Sequence, residues 1–92
     1  MKLLFLLLLI SNFASSQNPL NGTILDNNNN FLTNANIQWI NSLVGTTSDL
    51  NGKFSISQNN VKDRRLIISY IGFNNDTVNV KINENELIVK LE

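Results

Sequence analysis

Gly45-Thr46-Thr47-Ser48-Asp49-Leu50-Asn51-Gly52-Lys53-Phe54-Ser55-Ile56 is the stretch that decides the fold. A short strand near residues 44–47 runs into Asp49-Leu50-Asn51-Gly52, a sequence with tight-turn chemistry. Asp49 can cap the turn through its side chain, while Asn51-Gly52 supply left-handed backbone geometry for a hairpin. Beyond the turn, Phe54 and Ile56 alternate with Lys53, Ser55 and Ser57, which is the period of a strand with one buried face. Phe54 is therefore expected in the core.

The same period recurs on both sides. Ile37 and Trp39 alternate with Asn36, Gln38 and, less cleanly, Ile40; Val78, Val80 and Ile82 with Thr77, Asn79 and Lys81; Leu87, Val89 and Leu91 with Glu86, Ile88 and Lys90. Residues 64–73 differ, because Leu66, Ile67, Ile68, Tyr70, Ile71 and Phe73 leave little polar surface. They read as a central strand, covered on both faces or ending in a buried corner, with Gly72 allowing a bend. Another strand spans residues 22–25. No helical period competes, and roughly seven strands spaced about 8–12 residues apart suit a β-sandwich. Turn clusters at residues 26–30 and 58–60 separate them, and Pro19 stands before the first strand, where a missing amide donor does no harm.

The N-terminus reads differently. Lys2 precedes an unbroken apolar run over residues 3–10, and Ala14-Ser15-Ser16 places small residues where a signal peptidase reads. That order predicts a secretion signal over residues 1–16, cleaved before Gln17. Eight apolar residues are too few for a membrane span, which needs about 20. One soluble domain over residues 17–92 remains, with six basic and seven acidic side chains. Its single basic cluster, Lys62, Arg64 and Arg65, is interrupted by Asp63 and reads as a solvated strand start rather than a nucleic-acid surface. The chain has no Cys, so an exported domain this small must rely on packing and its sheets rather than disulfides. Its 18 Asn residues fall mostly between apolar stretches, as expected of a loop-rich β protein whose turns visit left-handed conformations.

The motifs carry a family resemblance. Residues 45–56 resemble the Gly-Thr-x-Thr-Asp-x-Asn-Gly-x-Phe signature of carboxypeptidase-regulatory-like domains. Ser69-Tyr70-Ile71-Gly72-Phe73 is similar to the Ser-Tyr-x-Gly-Tyr segment that follows it. Gly22 to Asp26 and Leu32 to Ile37 are similar to the opening strand and the Leu-x-Gly-Ala-x-Val element, and residues 87–91 to the closing strand. Asn34 replaces a usual Gly, Asn30 stands where a turn Gly is common, and Ser48 replaces Thr. The resemblance implies a seven-stranded Greek-key sandwich of the transthyretin (prealbumin-like) type. Its motif residues are Gly45, Thr46, Asp49, Asn51, Gly52, Phe54, Ser69, Tyr70, Gly72 and Phe73, all with structural roles.

Catalysis is not expected. Without His or Cys, Ser-His and Cys-His nucleophile pairs and ordinary zinc sites have no residues to form them. Asp49, Asn51 and Gly52 open like a calcium loop, but Asn60 stands where the closing bidentate Glu should be. Glu84 and Glu86 read as solubilising charges beside an edge strand rather than an acid/base pair. Trp39 and Tyr70, on alternating apolar faces, read as core rather than a sugar-stacking platform. No cofactor or metal is expected.

The resemblance further implies a non-enzymatic accessory domain of a TonB-dependent outer-membrane nutrient transporter. Such a domain follows the signal peptide in the periplasm and contacts the transporter's plug or barrel, or an energising periplasmic protein. A chain stopping at Glu92 would then be a truncated receptor or a free-standing copy. A secreted interaction or adhesion module, pairing through a strand edge, is the alternative.

Overall fold

The structure is a computed structural model that describes residues 18–92. The expected signal over residues 1–16 and its cleavage point at Gln17 lie outside the described residues. Seven strands follow Pro19: β1 (Leu20–Asp26), β2 (Asn36–Trp39), β3 (Gly45–Thr47), β4 (Lys53–Ile56), β5 (Arg65–Ser69), β6 (Asp76–Asn79) and β7 (Glu86–Leu91). They form two sheets, one ordered β4-β1-β7 and the other β3-β2-β5-β6. All neighbours are antiparallel except β1 and β7, which run parallel. From β3 the chain crosses to β4 in the opposite sheet and returns as β5 beside β2, the over-and-back path of a Greek key. The expected all-β sandwich is the observed fold.

Period two translates directly into burial. Leu20 and Ile24 of β1, Ile37 and Trp39 of β2, Phe54 and Ile56 of β4, Leu66 and Ile68 of β5, and Val89 and Leu91 of β7 fill the space between the sheets. In the β1–β4 register Gly22 lies opposite Phe54. A Cβ on Gly22 would fall 2.2 Å from Phe54 Cε2. The glycine thus makes room for the aromatic ring to cover its own strand partner.

Four local expectations need correction. The Asp49–Gly52 turn is tight, but it does not close a hairpin within one sheet, because β3 pairs with β2 and β4 pairs with β1. It carries the chain from one sheet to the other. Gly52 has φ 70° while Asn51 stays outside the left-handed region; one left-handed residue suffices. The strand expected over residues 64–73 ends at Ser69. Tyr70 to Phe73 form a β-turn, with Phe73 N–H donating to Tyr70 O and Gly72 at φ 87°, the geometry a glycine at the third turn position allows. That corner is wet, with Ile71 95% exposed. Finally, β6 stops at Asn79, so Val80 is buried beyond the strand and Ile82 is 70% exposed; the Val78-Val80-Ile82 alternation outruns the ladder that would orient it.

Asparagine does take the left-handed turn positions, at Asn29, Asn34, Asn41, Asn60 and Asn83. Asn34 adopts the conformation its usual glycine would. In the first turn the left-handed residue is Asn29, not Asn30.

Gly52 is the least replaceable turn residue. Besides its positive φ, a Cβ there would lie 2.6 Å from Ile24 O, whose residue donates its own N–H to Gly52 O at 2.7 Å. Gly52→Val is expected to lower stability by about 1–3 kcal/mol, because strain at positive φ adds to a backbone clash. Denaturant unfolding of the two proteins measures it; equal midpoints would contradict the described turn.

Candidate functional site

Both motif segments that the sequence marks arrive at one end of the sandwich. The Asp49–Gly52 turn, the Tyr70–Phe73 turn, the loop after β1 and the end of β7 all meet there, since β1 and β7 end where β4 begins and β5 ends beside the start of β2. Their polar groups face inward on their own backbones. Asp49 Oδ1 accepts from the N–H groups of Asn51 and Lys53, each at 2.9 Å, and Gly52 N–H donates to Asp49 O. Asp26 does the same in the neighbouring loop, with Oδ1 accepting from the N–H groups of Asn28 and Asn30. Tyr70 and Phe73 are half-buried against the core edge, their rings edge-to-face at 5.6 Å. Gly45 and Thr46 stand apart on the short edge strand β3, and Phe54 is core. The motif residues therefore form turns and packing and do not line a common pocket.

The opposite end holds a network that the sequence reading missed. Gln58 is 4% exposed. Its Nε2 donates to Asn18 O and Glu84 O, at 2.9 and 3.2 Å. Its Oε1 accepts from Arg64 Nη2. The Arg64 guanidinium lies 5.1 Å from the Trp39 ring centroid, in cation–π geometry, and also donates to Val80 O and Lys81 O. Arg64 is accordingly a lid over the core tryptophan, not the solvated strand start expected from its charge. A signal for Gln58 was present, because it continues the buried parity of Phe54 and Ile56 by one step past β4. Trp39 itself has no exposed surface, and its Nε1–H donates to Ser57 O. It offers no face to a sugar.

Asp63, the residue that interrupts the basic cluster, grips Arg65 through Oδ1 and Oδ2, at 2.8 and 2.6 Å. Those hydrogen bonds from Arg65 hold its carboxyl at about 2, well below the ordinary 3.8. Asp26 is also lowered, chiefly by the Asn30 N–H. Two of the three basic residues thus have partners within the chain. Between this end's β2–β3 turn and the loop before β5 runs an open cleft of about 620 Å³, whose lining includes the apolar Ile40, Val44 and Val61 and the charged Lys62 and Asp63. Glu84 and Glu86 do not act as a pair: Glu84 Oε1 accepts from Lys81 N–H, while Glu86 is exposed at the start of β7. No group of three or more acidic, His or Cys side chains converges among the described residues.

These features define a class, a β-sandwich module whose marked polar residues shape its turns and close its ends. The family described as CarboxypepD_reg-like domain matches residues 20–92, and the chain belongs to that family. No curated protein matches it. Domains of this family are non-catalytic regulatory modules.

The ion pair and the capped loop set a pH dependence. Both carboxylates have folded values below their unfolded ones, so their stabilisation is present above about 3.8 and lost as pH falls, for Asp63 through about 2. The chain lacks His and Cys, the side chains whose ordinary values lie nearest neutrality. Melting temperature is expected to stay flat from about pH 5.5 to 8.5 and to fall between about pH 4 and 2. A step near pH 7 in thermal melts would contradict this.

Proposed function

We propose that this chain is a non-enzymatic accessory domain of outer-membrane nutrient uptake, exported by its N-terminal leader to the periplasm or the outer membrane. There it contacts a protein, either the plug or barrel of a TonB-dependent transporter or the periplasmic protein that energises it. Family membership over residues 20–92 carries the reading, joined to the leader-like order of Lys2, the apolar run 3–10 and Ala14-Ser15-Ser16. Its side chains support a role without catalysis. The buried polar residues Ser48 and Gln58 are bonded to backbone or to Arg64. Among the described residues no buried side-chain polar atom is left without a partner to await a substrate.

A second reading, a secreted interaction module, is favoured by one observation: sheet edges with exposed apolar side chains, such as Ile88 on β7 at 71% exposure. Cell fractionation separates the two. A C-terminally tagged protein is expected in the periplasmic and outer-membrane fractions, with an intact mass beginning at Gln17 and photocrosslinks to a TonB-dependent transporter or its energising protein. Quantitative recovery from the culture medium, without such crosslinks, would overturn the transporter reading.

A further inference from the structure

We propose that β7 is a self-pairing edge, through which two copies of this chain join antiparallel about a two-fold axis at Ile88. The occupant is a second copy because the charges on this strand are complementary to themselves in antiparallel pairing. β7 is the longest edge strand of the sandwich and pairs on one side with β1. Asn21 N–H donates to Asn85 O, and Asn21 stands opposite Glu86 in the parallel register. In a parallel ladder this parity turns the main-chain groups of residues 85, 87, 89 and 91 toward β1 and those of Glu86, Ile88 and Lys90 outward. The same three residues are the exposed ones of β7, while Val89 and Leu91 are buried.

The side chains are arranged symmetrically. Antiparallel pairing centred on Ile88 sets Ile88 against Ile88 of the second copy, and Glu86 against Lys90 on each flank. Each of these pairs exchanges two main-chain hydrogen bonds, and the opposite charges and apolar centre stabilise the pairing. Parallel pairing through the same edge cannot set these residues opposite their own copies, because in a parallel ladder a residue whose main chain faces the partner stands opposite one whose main chain faces away. The ladder ends by itself after Lys90, because Glu92 O already accepts from Asn74 N–H at 2.8 Å. Lys90 borders an open cleft with Asn74, Asn75 and Asp76. The other edges lack this symmetry: β3 and β4 are shorter, and β6 carries Asp76 with no basic counterpart. The product is a continuous sheet ordered β4-β1-β7-β7-β1-β4, with an isologous interface. The proposal does not rest on the transporter reading.

Sedimentation equilibrium of the purified protein tests it. The interface is small, so a dimer fraction growing between about 10 µM and 1 mM is expected. Glu86→Lys and Lys90→Glu each place like charges on both flanks and should weaken self-association on the order of tenfold. Mixing the two variants restores opposite charges at both flanks and should yield a heterodimer at least as tight as the wild-type pair. A wild-type protein that stays monomeric across this range would overturn the proposal. So would single variants that dimerise like the wild type, or a mixture of folded variants that does not associate.

Discussion

The Ser48 hydroxyl holds together two of the four places where the chain changes sheets, the β1–β2 and β3–β4 connections. Its Oγ donates to Leu32 O at 2.6 Å and accepts from Ala35 N–H at 2.9 Å. Its main chain is bonded to the same segment, N–H to Ala35 O and C=O from Asn34 N–H. Leu32 to Ala35 lead from β1 into β2, and Ser48 leads from β3 toward β4. One residue, 2% exposed, therefore satisfies the backbone of both crossings where neither ladder can. Buried crossings otherwise leave donors and acceptors unpaired, which is among the costlier defects a small domain can carry. The Asp49 cap and the left-handed Gly52 can turn the chain into the opposite sheet only because Ser48 has already fixed its departure.

The two ends of the sandwich solve the same problem with different chemistry. Where the motif turns gather, carboxylates of Asp26 and Asp49 gather loop amides. At the other end, neutral Gln58 joins the residue before Pro19 to the loops around Glu84 and Arg64. With no disulfide to staple it, a domain of this size depends on such closures to keep water from the core. Asp63 has a further consequence: by pairing with Arg65 it leaves Arg64 to settle on Trp39. A cluster that reads as basic along the chain is dispersed in space.

Much of the fold was legible because period two is a direct image of one-sided burial. Ile37, Trp39, Phe54, Ile56, Val89 and Leu91 all lie where alternation places them. Alternation says nothing of which sheet a strand joins, so the turn between β3 and β4 reads as a hairpin although it is a crossing. Nor does it mark where a ladder stops; Ile82 and Ile71 keep the apolar pattern after pairing has ended. The polar positions were harder still. Gly52 and Asp49 announce a turn by type, whereas Ser48 and Gln58 are ordinary residues whose importance comes from partners 6 to 40 positions away. The charge pattern on β7 is visible in sequence as Glu86, Ile88 and Lys90, but it gains meaning only once the parity of the parallel ladder shows which groups face outward.

The central claim is that the Ser48 hydroxyl, rather than the volume of its side chain, ties the β1–β2 and β3–β4 crossings together. Urea unfolding of Ser48→Ala, compared with Ser55→Ala on the exposed face of β4, tests it most directly. The account predicts a loss of about 1–3 kcal/mol for Ser48→Ala, since Ala35 N–H and Leu32 O both lose a buried partner, and little change for Ser55→Ala. Matching midpoints for the two variants would contradict it.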